Sequence, residues 1–453
     1  MKQSIRIASG QGFWGDLQTA PIGQVRDGPV DYMMMDYLAE VTMSILQKQK
    51  MKDPNLGYAK DVVPLFEEIL PDIVKKNIRV ITNGGGVNPI ACRDAIFAVA
   101  ERLKIKNLKV GVVLGDDILG EVDALAARGI SLDNMETKES LSVIRSNVIS
   151  ANVYFGAFPI VEALRQGAQI VITGRTTDTG LTLAPMIYEF GWKASDWDKL
   201  AAGTVAGHIL ECGGQASGGN FSADWKLVPD LAHIGFPIAE AHPDGTVIIT
   251  KHDKTGGLVS SATVKEQLVY EIGDPKNYIT PDCIADFTTI QLRDVAVNRV
   301  EVSGVKGKPA TEFYKVSMSY FDGYTAFGTL TYAWPDALEK ASKADEILRI
   351  RLSDLHLKFE EIRTEFLGYD SCFGPLSKNS QTMNEVVMRV GVRSRDKEAV
   401  DRFSKEIAPL ILTGPPSVTG FAAGRPKQSE VIAYWPALIP KSAVSPKVIV
   451  EQH

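Results

Sequence analysis

Val80-Ile81-Thr82-Asn83-Gly84-Gly85-Gly86-Val87-Asn88-Pro89 runs from a short apolar segment through three glycines to an Asn-Pro pair. An apolar run, a glycine turn and then Pro at a first-turn position behind a capping Asn is the pattern of a buried strand feeding a helix. Four other stretches in the first 180 residues stop in a similar way. Ile5-Arg6-Ile7-Ala8 passes into Ser9-Gly10-Gln11-Gly12, Tyr32-Met33-Met34-Met35 into Asp36, Val110-Gly111-Val112-Val113-Leu114 into Gly115-Asp116-Asp117, and Ile170-Val171-Ile172 into Thr173-Gly174-Arg175. Each run is short, β-branched or rich in Met, and usually followed by a helix-like segment. Such runs read as parallel strands buried on both faces. In an open parallel sheet these strand ends share one edge, and ligands bind along it.

The rest of the chain bounds the protein around that edge. With 453 residues, 45% hydrophobic and 23% charged, it is long enough to need more than one core. A net charge of -6 and no Lys/Arg stripe leave no electrostatic footprint for nucleic acid or anionic lipid. No apolar run approaches the ~20 residues that span a bilayer, and the first residues lack a signal-peptide pattern, so a cytoplasmic location is expected. Cys92, Cys212, Cys283 and Cys372 are too scattered for a disulfide framework or a zinc site, and no metal is expected.

The expected fold class is α/β. Residues 1–219 form an α/β domain on a mostly parallel open sheet, with helices at 36–50, 61–76, 89–103 and 160–166 and a ligand site at the strand C-terminal edge. Residues 220–335 read as a mixed, more antiparallel α+β domain, with turns at Asp244-Gly245 and Asp322-Gly323. Residues 336–453 read as a small α+β unit ending in a Gly/Pro-rich tail from Thr413.

Several segments carry side chains suited to chemistry. Gly10-Gln11-Gly12-Phe13-Trp14-Gly15 matches GxGxxG, with Asp36 about twenty residues on. Pro21 and Pro29 and the lack of an amphipathic period predict no phosphate-facing helix after it, so Gly10 and Gly12 read as lining a ligand loop, holding a dinucleotide or making a structural turn. The backbone N–H groups of Asn83, Gly84, Gly85 and Gly86 can cradle a carboxylate or thioester oxygen, or merely close a tight turn. Arg175 can clamp a substrate carboxylate, with Asp178 as acid or base, or the two can pin their own loop. On a helix His208, Glu211 and Cys212 share a face and can supply a base and a nucleophile or proton donor, or form a satisfied buried pair at a domain junction. Arg425, in the Gly-rich stretch Gly420-Phe421-Ala422-Ala423-Gly424-Arg425, and the loop Lys251-His252-Asp253-Lys254 can reach the same site or stay solvated.

Taken together, Ser9-Gly10 to Gly15-Asp16, Asp36-Tyr37-Leu38-Ala39-Glu40, Thr173-Gly174-Arg175 with Asp178, Glu211-Cys212-Gly213, Gly256-Gly257-Leu258, Glu266-Gln267-Leu268, Tyr270-Glu271-Ile272-Gly273-Asp274-Pro275 and Tyr434-Trp435-Pro436-Ala437-Leu438 resemble the acyclic terpene utilisation family, AtuA type, across nearly the whole chain. That resemblance implies a place in bacterial breakdown of citronellol and geraniol through acyl-CoA intermediates. Some members continue into a further small C-terminal domain, whereas this chain stops at His453, so a separate small subunit is expected to supply it. Gly214-Gln215-Ala216-Ser217 also stands where the family pattern has Ala-Gln-Val-Thr.

The resulting expectation is a catabolic hydratase or lyase without a redox cofactor, acting on a small unsaturated or hydroxy carboxylic acid or its acyl-CoA thioester, in a homo- or hetero-oligomer. Asp178 or Glu211 moves the proton, Arg175 holds a carboxylate and the glycine turn steadies the enolate oxygen. The alternatives are a non-catalytic binding or scaffold subunit of a two-component enzyme and a nicotinamide-dependent dehydrogenase.

Overall fold

Tyr32-Met33-Met34-Met35 alternates between two cores: Tyr32 and Met34 pack into one, Met33 and Met35 into the other, all within 1% of full burial. Val80 and Ile81, then Ile170, Val171 and Ile172, repeat the alternation. A strand apolar at every position can only be stable with cover on both sides. The computed structural model, which describes residues 2–378, 383–420 and 424–453, supplies that cover.

The elements run β1 Ile5–Gln11, α1 Thr19–Arg26, β2 Tyr32–Met35, α2 Glu40–Lys52, α3 Val62–Lys76, β3 Arg79–Thr82, α4 Pro89–Arg102, β4 Lys109–Leu114, α5 Val122–Ala127, β5 Val148–Val153, α6 Phe158–Arg165, β6 Ile170–Thr173, α7 Gly180–Phe190, α8 Trp197–Leu210, β7 Ile238–Ala241, β8 Val247–Thr250 and α9 Ser261–Val269. Strands β1, β2, β3, β6 and β4 lie side by side and parallel, so the five strand ends do share one edge. Residues of α1 to α4 build the core on one face, and those of α6 to α9 the core on the other. The fold is α/β, with a sheet that is mostly parallel in its N-terminal strands and antiparallel elsewhere.

The chain groups into two compact units, residues 1–319 with 434–453 and residues 320–433. The segment after residue 220 joins the first unit because its strands extend the same sheet: β7 pairs antiparallel with β1, then β8, Arg299–Ser303 and Gln291–Ala296 follow. At the other side Lys447–Gln452 pairs antiparallel with β4. In the second unit Glu361–Leu367, Glu385–Ser394 and residues 324–333 form an antiparallel sheet over a core of Leu330, Leu348, Met388, Val390 and Phe403.

Three local expectations are corrected. The stretch after Gly15 does hold a helix, α1, with Pro21 in its first turn, where a missing N–H costs nothing. Asp322-Gly323 lies inside the strand Phe313–Ala333 rather than at a turn. Asn88 precedes α4 as expected, but its Nδ2 donates to the carbonyls of Pro54 and Leu56 instead of its oxygen capping the helix. Of the Gly-rich stretch at 420–425, residues 421–423 lie outside the described residues.

The β3–α4 turn needs its middle glycine. A Cβ on Gly85 would stand 2.6 Å from the Thr173 carbonyl oxygen and 2.7 Å from Ile172 Cγ2, so any side chain there pushes β6 away. Gly85→Ala is expected to destabilise the protein by roughly 1–3 kcal/mol, the usual penalty of overpacking, seen as a lowered midpoint in urea unfolding.

Candidate functional site

The β6–α7 loop carries the centre of the site, because β6 ends at Thr173 and α7 starts at Gly180, leaving Arg175 and Asp178 on the edge. The Arg175 side chain is held from three sides. Its Nη1 donates to the Leu38 carbonyl (2.9 Å) and to Asp178 Oδ1 (2.9 Å), and its Nη2 donates to the Tyr154 hydroxyl (2.8 Å). Its guanidinium also lies 4.1 Å from the centre of the Tyr154 ring, and Nε has no hydrogen-bond partner. The Tyr154 hydroxyl in turn donates to Glu40 Oε1 (2.9 Å), and Lys315 Nζ stands 3.7 Å from the same oxygen. One chain of contacts therefore links Asp178, Arg175, Tyr154, Glu40 and Lys315.

The neighbouring strand ends brace this chain from behind. Asp36, at the end of β2, accepts from Asn83 Nδ2 (2.6 Å) and Leu38 N–H (3.1 Å), while Asn83 Oδ1 accepts from Tyr37 N–H (2.7 Å). Asp116, after β4, accepts the Arg175 backbone N–H at 2.8 Å and Asn152 Nδ2 at 3.1 Å.

The electrostatics separate these carboxyls. Burial pushes Asp178 well above the ordinary carboxylate range; Arg175 pulls it down, but Asp36, Glu211 and Glu40 add to the rise. Burial likewise lifts Asp36 to about 6, against Arg175 and the Asn83 and Leu38 donors. For Glu40 burial also acts upward, yet Arg175, its own backbone N–H, Tyr154 and Lys315 outweigh it and hold the group below its usual value. Two carboxyls on the same guanidinium–tyrosine bridge are thus driven in opposite directions, an arrangement that can set an acid and a base apart.

Both open onto one cavity of about 420 Å³, lined by Glu40, Tyr154, Arg175, Asp178, Lys315 and apolar neighbours. Asp178 has 31% of its side chain accessible there, whereas Arg175 has 2%. A groove of similar size in the second unit, also about 420 Å³, is lined by arginines paired with carboxylates: Arg363 and Arg389 with Glu365, and Arg393 with Asp322.

The other expected residues fall into three places. His208 and Glu211, at the end of α8, form a tight pair, Nδ1 to Oε1 at 2.7 Å, and His208 Nε2 meets the Gln267 carbonyl at 3.1 Å, so both ring nitrogens are engaged. Burial works against the imidazolium, but Glu211 and the Gln267 carbonyl raise its pKa above the usual value. This pair reaches the cavity through Tyr278, whose ring packs edge-on against His208 at 5.5 Å and lines the cavity wall. Cys212 is a thiol, pushed up to about 12 by burial and then by Glu211, and so is a poor nucleophile.

Gly12 packs on the same segment: a Cβ there would lie 2.8 Å from the backbone of Cys212 and Gly213. The Gly12 N–H is taken by Asp16 Oδ2 at 2.9 Å, so the loop fills its own anion position, and Gly10 faces Met33 and Met35. In the glycine turn Gly84 N–H donates to Thr82 Oγ1 and Gly86 N–H to the Asn83 carbonyl. Arg425 is exposed on the second unit.

A family model described as acyclic terpene utilisation family protein AtuA matches residues 5–450. The chain belongs to the AtuA family. No curated protein and no solved structure matches it. No helix of the described residues is long and apolar enough to cross a membrane, and among them no three His, Cys, Asp or Glu side chains gather as a metal ion requires.

Glu40, Tyr154 and Lys315 were not singled out from the sequence. Glu40 stood within the quoted Asp36-Tyr37-Leu38-Ala39-Glu40, and Val153-Tyr154-Phe155 running into Gly156 is a sixth strand ending of the same kind as the five. Lys315, in Phe313-Tyr314-Lys315, gives no such signal.

Asp116 provides a test of this buried electrostatics. Burial raises its pKa to about 7, against the pull of the Arg175 N–H and Asn152, with Asp117 adding to the rise. A proton held more tightly in the fold than in the unfolded chain stabilises the fold fully below the ordinary value near 3.8, and that stabilisation is lost as pH rises through about 7. Asp116→Asn is expected to remove this loss, shrinking the fall in stability between pH 5 and pH 8 by on the order of 1–3 kcal/mol, measured by calorimetric melting at both pH values.

Proposed function

We propose that this AtuA-family chain is a catabolic hydratase or lyase that acts on a small unsaturated or hydroxy carboxylic acid or its acyl-CoA thioester. The observation that carries this reading is the opposite displacement of Glu40 and Asp178 around one buried guanidinium, both facing the same cavity. In elimination the Glu40 carboxylate takes the proton alpha to the carbonyl. The electron pair of that C–H bond forms the carbon–carbon double bond as the beta C–O bond breaks, and Asp178 gives its proton to the departing hydroxyl, which leaves as water. Hydration runs the same transfers backwards, and exchange with solvent at the cavity mouth resets the two carboxyls.

Arg175 is in this scheme a positioning residue. Three of its N–H donors go to Leu38, Asp178 and Tyr154 and its side chain is 2% accessible, so it fixes the acid and the tyrosine bridge rather than clamping a substrate. The His208–Glu211 pair supports the wall through Tyr278, whose hydroxyl burial, Glu211, Asp178 and Cys212 keep protonated. A dinucleotide reading has less support: Asp16 occupies the loop N–H that a pyrophosphate would use, and Asp36, at the spacing where such folds carry a ribose-binding acid, is buried and bonded to Asn83 and Leu38.

Asp178→Asn and Glu40→Gln are each expected to lower kcat by ~10²–10⁴-fold on a turned-over hydroxy acid, the range for losing one acid or base. The elimination rate should fall on the acid side with Glu40, below the ordinary Glu value of 4.5, and on the alkaline side with Asp178, well above 3.8. Full turnover in both variants sinks the assignment.

A further inference from the structure

The cavity has two cationic side chains on its lining, and they differ in freedom. Arg175 is sealed in and engaged, whereas Lys315 has 40% of its side chain accessible and sits at the rim. Its ammonium is placed by three groups: Glu40 Oε1 at 3.7 Å, the Tyr154 ring at 5.0 Å and the Tyr434 ring at 5.5 Å. Two aromatic faces and one carboxylate steer a flexible lysine to one spot beside the base without capping it.

Around that cation the wall is apolar: Met135, Ile279, Pro281, Phe313 and Leu438 line the cavity. Ile279 is 61% and Phe313 46% exposed, and Met135 and Leu438 are also exposed. Large apolar side chains left in water and grouped at one opening are a mark of a binding surface rather than of a core. A charged group at one point with an apolar wall beside it matches an amphiphilic anion. The volume, about 420 Å³, falls among small-molecule sites of ~300–1,000 Å³. A coenzyme A nucleotide asks for several phosphate-binding cations, and this lining has a single accessible one.

We propose that this cavity takes a medium-length carboxylic acid as the free acid, with Lys315 binding its carboxylate and Met135, Ile279, Phe313 and Leu438 covering its chain. The proposal rests on the lyase reading of the same site and narrows its substrate class. It also gives Lys315 the role first expected of Arg175: an ammonium on the carboxylate oxygens is placed to meet the negative charge that grows there when Glu40 removes the alpha proton.

Binding can be tested apart from turnover, with the full chain and octanoate, octanol and octanoyl-CoA as probes in titration calorimetry. Octanoate is expected to bind the parent protein more tightly than octanol. Lys315→Met should weaken octanoate at least tenfold and leave octanol unchanged, the latter also showing that the variant is folded, while Lys315→Arg should restore most of the octanoate affinity. Phe313→Ser should weaken both. The proposal is overturned if octanoate fails to bind the parent, if Lys315→Met binds it as well as the parent does, or if octanoyl-CoA binds more tightly with no dependence on Lys315. Because none of these readouts needs catalysis, Asp178→Asn and Glu40→Gln variants that keep full turnover would overturn the lyase reading alone.

Discussion

A guanidinium with 2% of its side chain accessible is the constraint on which the site depends. An unpartnered buried charge is among the most costly features a fold can contain, so its neighbours have to be brought to it. Arg175 recruits the Leu38 carbonyl from the β2–α2 loop, Tyr154 from the end of β5 and Asp178 from its own loop, while its backbone N–H holds Asp116 after β4. The positions of separate strand ends are thereby coupled through one residue. The same charge sets the titration of its surroundings, since it opposes the burial that lifts Asp36 and Asp178 and helps hold Glu40 down.

The arrangement shows how one cation gives similar carboxyls different tasks. Asp178 contacts the guanidinium directly, yet its burial, with three neighbouring acids adding to the effect, wins. Glu40 meets the guanidinium's field with a tyrosine hydroxyl and a lysine added, and the favourable contacts win. Glu211 enters this balance only through its charge, which adds to the rise of Asp178 and Asp36. His208 and Glu211 bond to each other, and His208 also meets the Gln267 carbonyl, one aromatic ring removed from the cavity.

The parallel sheet and its functional edge were legible because a strand buried on both faces leaves an uninterrupted apolar run that stops abruptly, as at Met35-Asp36 and Ile172-Thr173. Helix α1 was hidden by Pro21, which reads as a break although it sits in a first turn. The region after residue 220 looked like a separate domain because antiparallel edge strands alternate in polarity even when they extend a parallel sheet; pairing partners are not written in local periodicity. Within the site, Arg175 and Asp178 stood out as charges in a glycine loop, but what each donor contacts is decided by Leu38 and Tyr154, far away in sequence. Lys315 lay in an ordinary strand pattern and could be recognised only by what surrounds it in space.

The pairing of Lys447–Gln452 with β4 also orders events in time. The first unit is made of two pieces of chain, and residues 320–433 are synthesised between them. Until Lys447–Gln452 emerges, β4 presents the unpaired backbone of an edge, the kind of surface that attracts other nascent chains. The second unit is continuous in sequence and can form its own core while that edge waits. The sheet that carries the site therefore gains its strand beside β4 only after residues 320–433 have been made, and Lys447–Gln452 then takes over the outer position.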